Sequence, residues 1–271
     1  MKRVKIFNIV IKIALVAFIF ISIVLILLFG NGFMELGFVN GEIGSFINKC
    51  EYSETINYNG YEVNLYKYIA RNDYEKENYI DTITIEDGIL YLGNTGDITV
   101  TNRNPVGRDK GAFVSDVANM FTKPLYLGHA TVNTSNKELI ECVGNSDKNE
   151  VRIVNNEWFE EIIDFGQVDE TYVGLRIKGI DNEKRNMFAE NLKNEVGKKY
   201  TYSFLIHSKN KYYCTDLVTR VAKTIDINLN YDLFISTGND IIVSNNTFII
   251  FVCKKMDIKN KIINLYYMSE V

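Results

Sequence analysis

Apolar residues are distributed unevenly along the chain, and the longest uninterrupted run lies near its start. Residues 13–29 are uncharged and apolar except for Ser22. With the residues just before it, this run approaches the ~20 residues that a helix needs to cross a bilayer. Basic residues precede the run and none follows closely, so the positive-inside rule places the N-terminus in the cytoplasm. The pattern predicts a basic cytoplasmic stub and a single-pass transmembrane anchor over residues 1–32, with the remainder extracytoplasmic.

A cleaved signal peptide is the alternative interpretation of this segment. Such a peptide has an apolar region of ~7–15 residues that ends in a small-x-small cleavage site. The run here is longer and ends in Leu27-Leu28-Phe29, so a retained anchor is favoured.

Beyond residue 32 the pattern changes to short alternating stretches. Residues 33–86 form a Tyr- and Asn-rich extension that alternates over Tyr61–Tyr68. Glu86-Asp87-Gly88 predicts a hairpin turn within Asp81–Leu92, because Asp and Gly tolerate positive φ. Further strands are predicted at 97–101, 126–133, 138–143, 150–154, 171–177 and 247–253.

Two helices are predicted from apolar stripes at helical spacing. One spans 181–196 and is followed by Gly197, where glycine commonly ends a helix, and the other spans 214–225. Shorter helices are predicted at 156–164 and 111–121. Strands in the middle, with helices on both sides, predict an α+β domain with a largely antiparallel sheet over residues 87–271.

Composition and charge narrow the possible functions. The chain has 271 residues, 46% of them apolar, with a net charge of −4 and a pI near 5.4. It therefore lacks the basic character of nucleic-acid-binding proteins, and no nucleic-acid partner is predicted. Two histidines and four cysteines without a CxxC pair are poor ligands for structural zinc, and neither a metal nor another cofactor is predicted. A disulfide among Cys50, Cys142 and Cys253 stays open.

Cys214 is the candidate nucleophile because it lies at the start of the predicted helix 214–225. Unpaired amide groups and the positive end of the helix dipole stabilise a thiolate at such a position. The alternative is a buried structural cysteine, since free cysteine is among the most buried residue types.

His129 and Glu141 are the candidate base and its orienting group. If their two strands pair through a turn at Thr134–Asn136, His129 lies directly across from Glu141. Both then share one face of the sheet, and Cys142 points to the other. A carboxylate beside an imidazole fixes its tautomer and raises its basicity. A surface ion pair would give the same pattern.

The order of these motifs resembles the YiiX-like permuted papain-like hydrolases, which are similar to NlpC-type cell-wall peptidases and to lecithin retinol acyltransferase. The matching segments are Gly96-Asp97-Ile98, Gly128-His129-Ala130, Ile140-Glu141, Tyr213-Cys214-Thr215-Asp216-Leu217-Val218, Arg176 and Gly197-Lys198-Lys199-Tyr200. The resemblance implies a permuted papain-like fold, with a sheet packed against the cysteine-bearing helix. It implies Cys214 as nucleophile, His129 as base and Glu141 as orienting group.

The resemblance also implies that Tyr213 lines the oxyanion region or cleft. Some features depart from the family pattern. Thr215-Asp216 stands where serine and glutamate are usual, and residues 33–86 have no counterpart. His207, the second histidine, is interpreted as a solvated loop residue.

These observations predict a membrane-anchored cysteine hydrolase that cleaves an amide or ester bond through a thioester intermediate. Cell-wall peptide and a lipid acyl group are the candidate substrates, and an acyltransferase would use the same thioester with an acceptor other than water. Two non-enzymatic alternatives stay open. One is an anchored binding module that keeps the papain-like cleft, and the other is a membrane component that binds a protein partner through residues 33–86.

Overall fold

The computed structural model describes residues 2–71, 75–76, 79–103, 120, 122–123, 126–144, 149–165, 170–204, 208–230, 235–257 and 259–270. Its helices are α1 (Lys2–Lys49), α2 (Trp158–Phe165), α3 (Asn182–Lys193), α4 (Cys214–Ala222) and α5 (Gly238–Val243). Its strands are β1 (Glu51–Tyr58), β2 (Tyr61–Ile69), β3 (Ile83–Glu86), β4 (Ile89–Leu92), β5 (Ile98–Thr101), β6 (His129–Asn133), β7 (Glu138–Cys142), β8 (Val151–Asn155), β9 (Thr171–Ile177), β10 (Lys199–Tyr200), β11 (Lys211–Tyr212), β12 (Thr247–Asp257) and β13 (Ile262–Ser269).

The fold is α+β and is organised around one large mixed sheet. Nine strands lie in the order β1-β2-β13-β12-β9-β5-β6-β7-β8. Neighbouring strands run antiparallel, except that β13 runs parallel to β2. The sheet is therefore mixed through this one parallel pair and is otherwise antiparallel, in line with the largely antiparallel sheet predicted from the sequence. Residues 33–86, predicted as an extension, contribute β1 and β2 to one edge of this sheet.

Apolar side chains cover both faces of the sheet. On one face, residues such as Ile98 and Val132 pack against α3, α4, α5 and the C-terminal half of α1. On the other face, α2 and the β3–β4 hairpin bury Phe159 and Leu90 against β12 and β13. Because successive side chains of a strand point to opposite faces, this arrangement needs apolar residues at both odd and even positions of the central strands.

The local elements predicted from the sequence are largely confirmed. Asp87 and Gly88 have φ values of 53° and 79° and join β3 to β4 as a hairpin. The predicted strands and the helices at 156–164, 181–196 and 214–225 are all present, with small shifts at their ends. The predicted helix 111–121 lies, apart from Met120, outside the described residues.

The transmembrane prediction is wrong. In the part of the chain that the structure describes, no helix is long and apolar enough to cross a membrane. Helix α1 continues past residue 32 to Lys49, and its C-terminal half packs on the domain through buried Val39, Ile43 and Phe46. The predicted single-pass anchor ending at residue 32, and the extracytoplasmic placement derived from it, are therefore withdrawn.

A buried ion pair joins β9 to the start of β5. Arg176 donates from Nε to Oδ1 of Asp97 at 2.8 Å and from Nη2 to Oδ2 at 2.7 Å. Its Nη1 also donates to the carbonyl of Ile80 at 2.9 Å. Both charged side chains are fully buried, and Nη1 of buried Arg185 also lies 3.6 Å from Oδ1 of Asp97. The Asp97 carboxylate therefore compensates buried positive charge from two arginines.

Replacing Asp97 with alanine is expected to destabilise the fold strongly. The Asp97→Ala variant leaves the Arg176 charge buried without its carboxylate, which typically costs about 3–5 kcal/mol. The free energy of unfolding in urea measures the loss. Glu190→Ala, which breaks an exposed pair with Lys193, is the control and should change that free energy by about 0.5 kcal/mol or less. Equal losses in the two variants would contradict this account of the ion pair.

Candidate active site

His129, Glu141 and Cys214 lie together at one end of the sheet. His129 is the first residue of β6, Glu141 is the last but one of β7, and Cys214 is the first of α4. Helix α4 packs against β6 and β7. This packing places the start of α4 near the sheet edge at which β6 begins and β7 ends.

The register of the β6–β7 hairpin differs from the prediction by two residues. Glu141 pairs with Thr131 and not with His129. The turn is longer than expected, because the N–H groups of Thr134 and Ser135 both donate to the carbonyl of Glu138, at 2.8 and 3.2 Å. A shift of two residues preserves the face on which each side chain lies. His129 and Glu141 therefore still share a face, as diagonal neighbours.

The imidazole of His129 interacts with both other candidate residues. Its Nε2 lies 2.7 Å from Oε2 of Glu141, which leaves Nδ1 for the hydrogen bond that the side chain also forms with Cys214. Burial lowers the pKa of His129, but the hydrogen bonds and charges of Cys214 and Glu141 outweigh it and raise that pKa to about 10. The ring therefore holds a second proton through neutral pH.

Glu141 is held in its ionised form. Burial raises the pKa of Glu141, but the hydrogen bonds and positive charges of His129 and Arg152 outweigh it and lower that pKa to about 2. Arg152 contacts Oε1 of Glu141 through Nε at 2.8 Å and Nη2 at 2.7 Å. The sequence reasoning missed Arg152. The signal that could have found it is the β7–β8 pairing, in which Arg152 lies directly opposite Glu141.

Gly128 has a steric role immediately before His129. A Cβ atom at this position would lie 2.1 Å from the carbonyl oxygen of Thr101 and 2.5 Å from that of Arg103. These are backbone atoms that cannot move without shifting β5. Glycine therefore allows β6 to start close to β5, and this start places the imidazole.

Tyr213 is the N-cap residue of α4 and is buried. Its hydroxyl accepts a hydrogen bond from the N–H of Ser236 at 3.1 Å, and its ring meets that of Phe204 edge-on with centroids 5.1 Å apart. The hydrogen bond ties the start of α4 to the segment that precedes α5, and the ring contact ties it to the segment that follows β10. A role for Tyr213 in the oxyanion region stays a prediction.

One histidine and three cysteines remain outside the candidate site. His207 lies outside the described residues. Cys50, Cys142 and Cys253 are free thiols, as is Cys214. Cys142 is buried and its Sγ donates to the carbonyl of Tyr212 at 3.2 Å, so it packs beside the start of α4 on the face opposite Glu141.

A cleft of about 430 Å³ adjoins Glu141 on the side of α2. Leu139, Val154 and Trp158 provide its apolar lining, and Glu141 and Arg152 lie at its polar end. The ring of Trp158 is 6.2 Å from that of His129, centroid to centroid. Cys214 and His129 are not among the residues that line this cleft, so it borders the candidate triad at Glu141 and does not contain the thiol.

Comparisons with known proteins find similarity among solved structures. No family model and no curated protein matches the chain. The crystal structure of the metalloprotein YiiX from Escherichia coli O157:H7, DUF1105, is similar to 58% of this chain over 96% of its own length, with 16% sequence identity and a TM-score of 0.41. Among the residues described for this chain, no group of three or more His, Cys, Asp or Glu side chains is placed to hold a metal ion.

The contribution of the His129–Glu141 pair to stability is expected to depend on pH. The pKa of His129 rises from 6.5 to about 10, so its contribution is complete below about pH 6.5 and is lost as the pH rises through about 10. The pKa of Glu141 falls from 4.5 to about 2, so its contribution is present above about pH 4.5 and is lost as the pH falls through about 2.

The variant Glu141→Gln tests this dependence. The difference in unfolding free energy between it and the natural chain should be largest between about pH 4.5 and 6.5 and should shrink on either side. Urea denaturation across the pH range gives this difference. A difference that stays constant with pH would mean that the pair is not ionic.

Proposed function

We propose that the chain is a cysteine hydrolase that cleaves an amide or ester bond through a thioester on Cys214. The observation that supports the proposal is the position of one imidazole between a thiol and a buried carboxylate. A nucleophile, its base and a group that orients the base are what covalent thiol catalysis requires. Here the three come from two strands and one helix that the core holds together.

In the proposed mechanism, the proton of the Cys214 thiol resides on His129 before the substrate binds, so the site rests as a thiolate–imidazolium pair. The thiolate attacks the carbonyl carbon of the substrate, and the carbonyl oxygen takes the negative charge. The imidazolium then donates its proton to the leaving amine or alcohol as the bond to the carbonyl carbon breaks, which leaves a thioester. Water, deprotonated by His129, attacks the thioester, and the acid product and the free thiol are released.

Glu141 and the start of α4 assist these steps in different ways. The carboxylate accepts a hydrogen bond from the Nε2–H group of His129, which orients the ring with Nδ1 toward the thiol and stabilises the imidazolium. Backbone N–H groups in the first turn of α4, with the positive end of its dipole, stabilise negative charge beside Cys214. Both effects favour the charged pair over the neutral one.

The proposal names the substrate and the acyl acceptor only by chemical class. A peptide of the cell wall and a lipid acyl group each carry a carbonyl that this chemistry would attack. An acceptor other than water would turn the same thioester into an acyltransferase intermediate. Product analysis with an added amine separates these two outcomes, because transfer yields an amide and hydrolysis yields the free acid.

Alkylation of the folded, full-length chain tests whether Cys214 and His129 act as a couple. At pH 6, iodoacetamide is expected to label Cys214 about 10-fold faster in the natural chain than in His129→Ala, because the imidazolium stabilises the reactive thiolate. Peptide mass spectrometry gives the labelling rate of each cysteine separately.

Cys50 is the internal control for this experiment. It is half-buried, and burial outweighs the charge of Lys49 and raises the pKa of Cys50 to about 12. It should therefore label slowly at pH 6 in both proteins. Equal labelling of Cys214 with and without His129 would exclude the proposed couple and favour a non-catalytic binding module.

A further inference from the structure

Arg152 and His129 contact different oxygens of the Glu141 carboxylate. Nε and Nη2 of Arg152 both lie against Oε1, at 2.8 and 2.7 Å. Oε2 of the same group faces Nε2 of His129 at 2.7 Å. Two donors of one planar guanidinium therefore converge on a single oxygen, and the second oxygen is left to the imidazole.

The strand register explains why Glu141 needs such a contact. Its directly opposite partners are Thr131 on β6 and Arg152 on β8, whereas His129 is a diagonal neighbour. Diagonal residues on paired strands lie about 7–8 Å apart, so the Glu141 side chain has to extend along the sheet to reach the imidazole. Rotation about its side-chain bonds competes with that one orientation. A second fixed contact, on the side away from His129, restricts the rotation.

We propose that Arg152 is a positioning residue, whose guanidinium holds Oε1 of Glu141 so that Oε2 stays directed at His129. The contribution of Arg152 to catalysis rests on the proposed hydrolase function. Its effect on the orientation of Glu141 and on the hydrogen bond to His129 does not. Arg152 contacts neither Cys214 nor the reacting atoms in this mechanism and acts through Glu141.

Two features separate this role from that of an ordinary surface ion pair. The Glu141 side chain is only 12% exposed, whereas that of Arg152 is 42% exposed. An arginine of the cleft wall therefore places its positive charge against a nearly buried carboxylate. A planar guanidinium also offers several donors in a fixed fork, whereas lysine offers a single mobile charge. Lysine at this position would supply charge without the paired donors.

The test compares Arg152→Met and Arg152→Lys in the folded, full-length chain. Lys137→Met is the control, because Lys137 is an exposed cation in the β6–β7 loop that pairs with Glu86 and not with Glu141. Carboxyl ¹³C NMR follows the titration of Glu141, and imidazole ¹⁵N NMR follows the Nε2 hydrogen bond of His129. Hydrolysis of an activated ester gives kcat and KM separately.

Arg152→Met is expected to move the Glu141 titration to higher pH and to weaken the Nε2 hydrogen-bond signal of His129. Arg152→Lys should restore part of the titration but not the hydrogen-bond signal, and Lys137→Met should change neither. The kcat for the ester is expected to fall about 10- to 100-fold in Arg152→Met, the factor that corresponds to one charge-assisted hydrogen bond, with KM little changed.

The outcomes distinguish this proposal from the proposed function. If the Glu141 titration and the His129 hydrogen-bond signal in folded Arg152→Met equal those of the natural chain, the positioning role is overturned, whether or not the chain hydrolyses esters. Altered NMR behaviour supports that role even when the natural chain shows no turnover that depends on Cys214, and the missing turnover then counts against the hydrolase alone. If Arg152→Met does not fold, Arg152→Lys decides the question. A His129 hydrogen-bond signal and a kcat equal to those of the natural chain would overturn the positioning role, and a weaker signal with a lower kcat would support it.

Discussion

The packing of helix α4 on the central sheet is the constraint from which the candidate site follows. Leu217, Val218 and Val221 on this helix are buried in the same core as Ala130 and Val132 of β6. Each large apolar side chain so buried contributes about 1.5–3 kcal/mol, so the helix has little freedom to slide or rotate. The thiol at its first residue is thus fixed relative to the strand that begins with the imidazole.

Electrostatic compensation then determines the state of the side chains that meet there. An imidazole and a carboxylate shielded from water are stable as ions only when each has a partner of opposite charge. Glu141 has such partners on both sides, in His129 and Arg152. The same principle operates deeper in the sheet, where Asp97 and Arg176 are fully buried together. The charged side chains of the central strands are therefore part of the fold as well as of the site.

The sequence predicted what depends on local pattern and failed where distant contacts decide. Alternation, helical spacing and the turn at Asp87-Gly88 located most elements, and parity placed His129 and Glu141 on one face. The register was two residues off because turn length is not fixed by alternation. Pairing of β13 with β2 joins segments about 200 residues apart, which no local pattern reports. The predicted anchor was wrong, since no helix in the described part of the chain is long and apolar enough to cross a membrane.

Capture of the acyl-enzyme is the most direct measurement of the central claim, that Cys214 forms a thioester. The full-length chain would be mixed with a p-nitrophenyl ester, quenched in acid and analysed by intact-mass and peptide mass spectrometry. The account predicts one added acyl group, located on Cys214, removed by hydroxylamine and absent from Cys214→Ala. Ester turnover that persists unchanged in Cys214→Ala, or an acyl group on another residue, would contradict it.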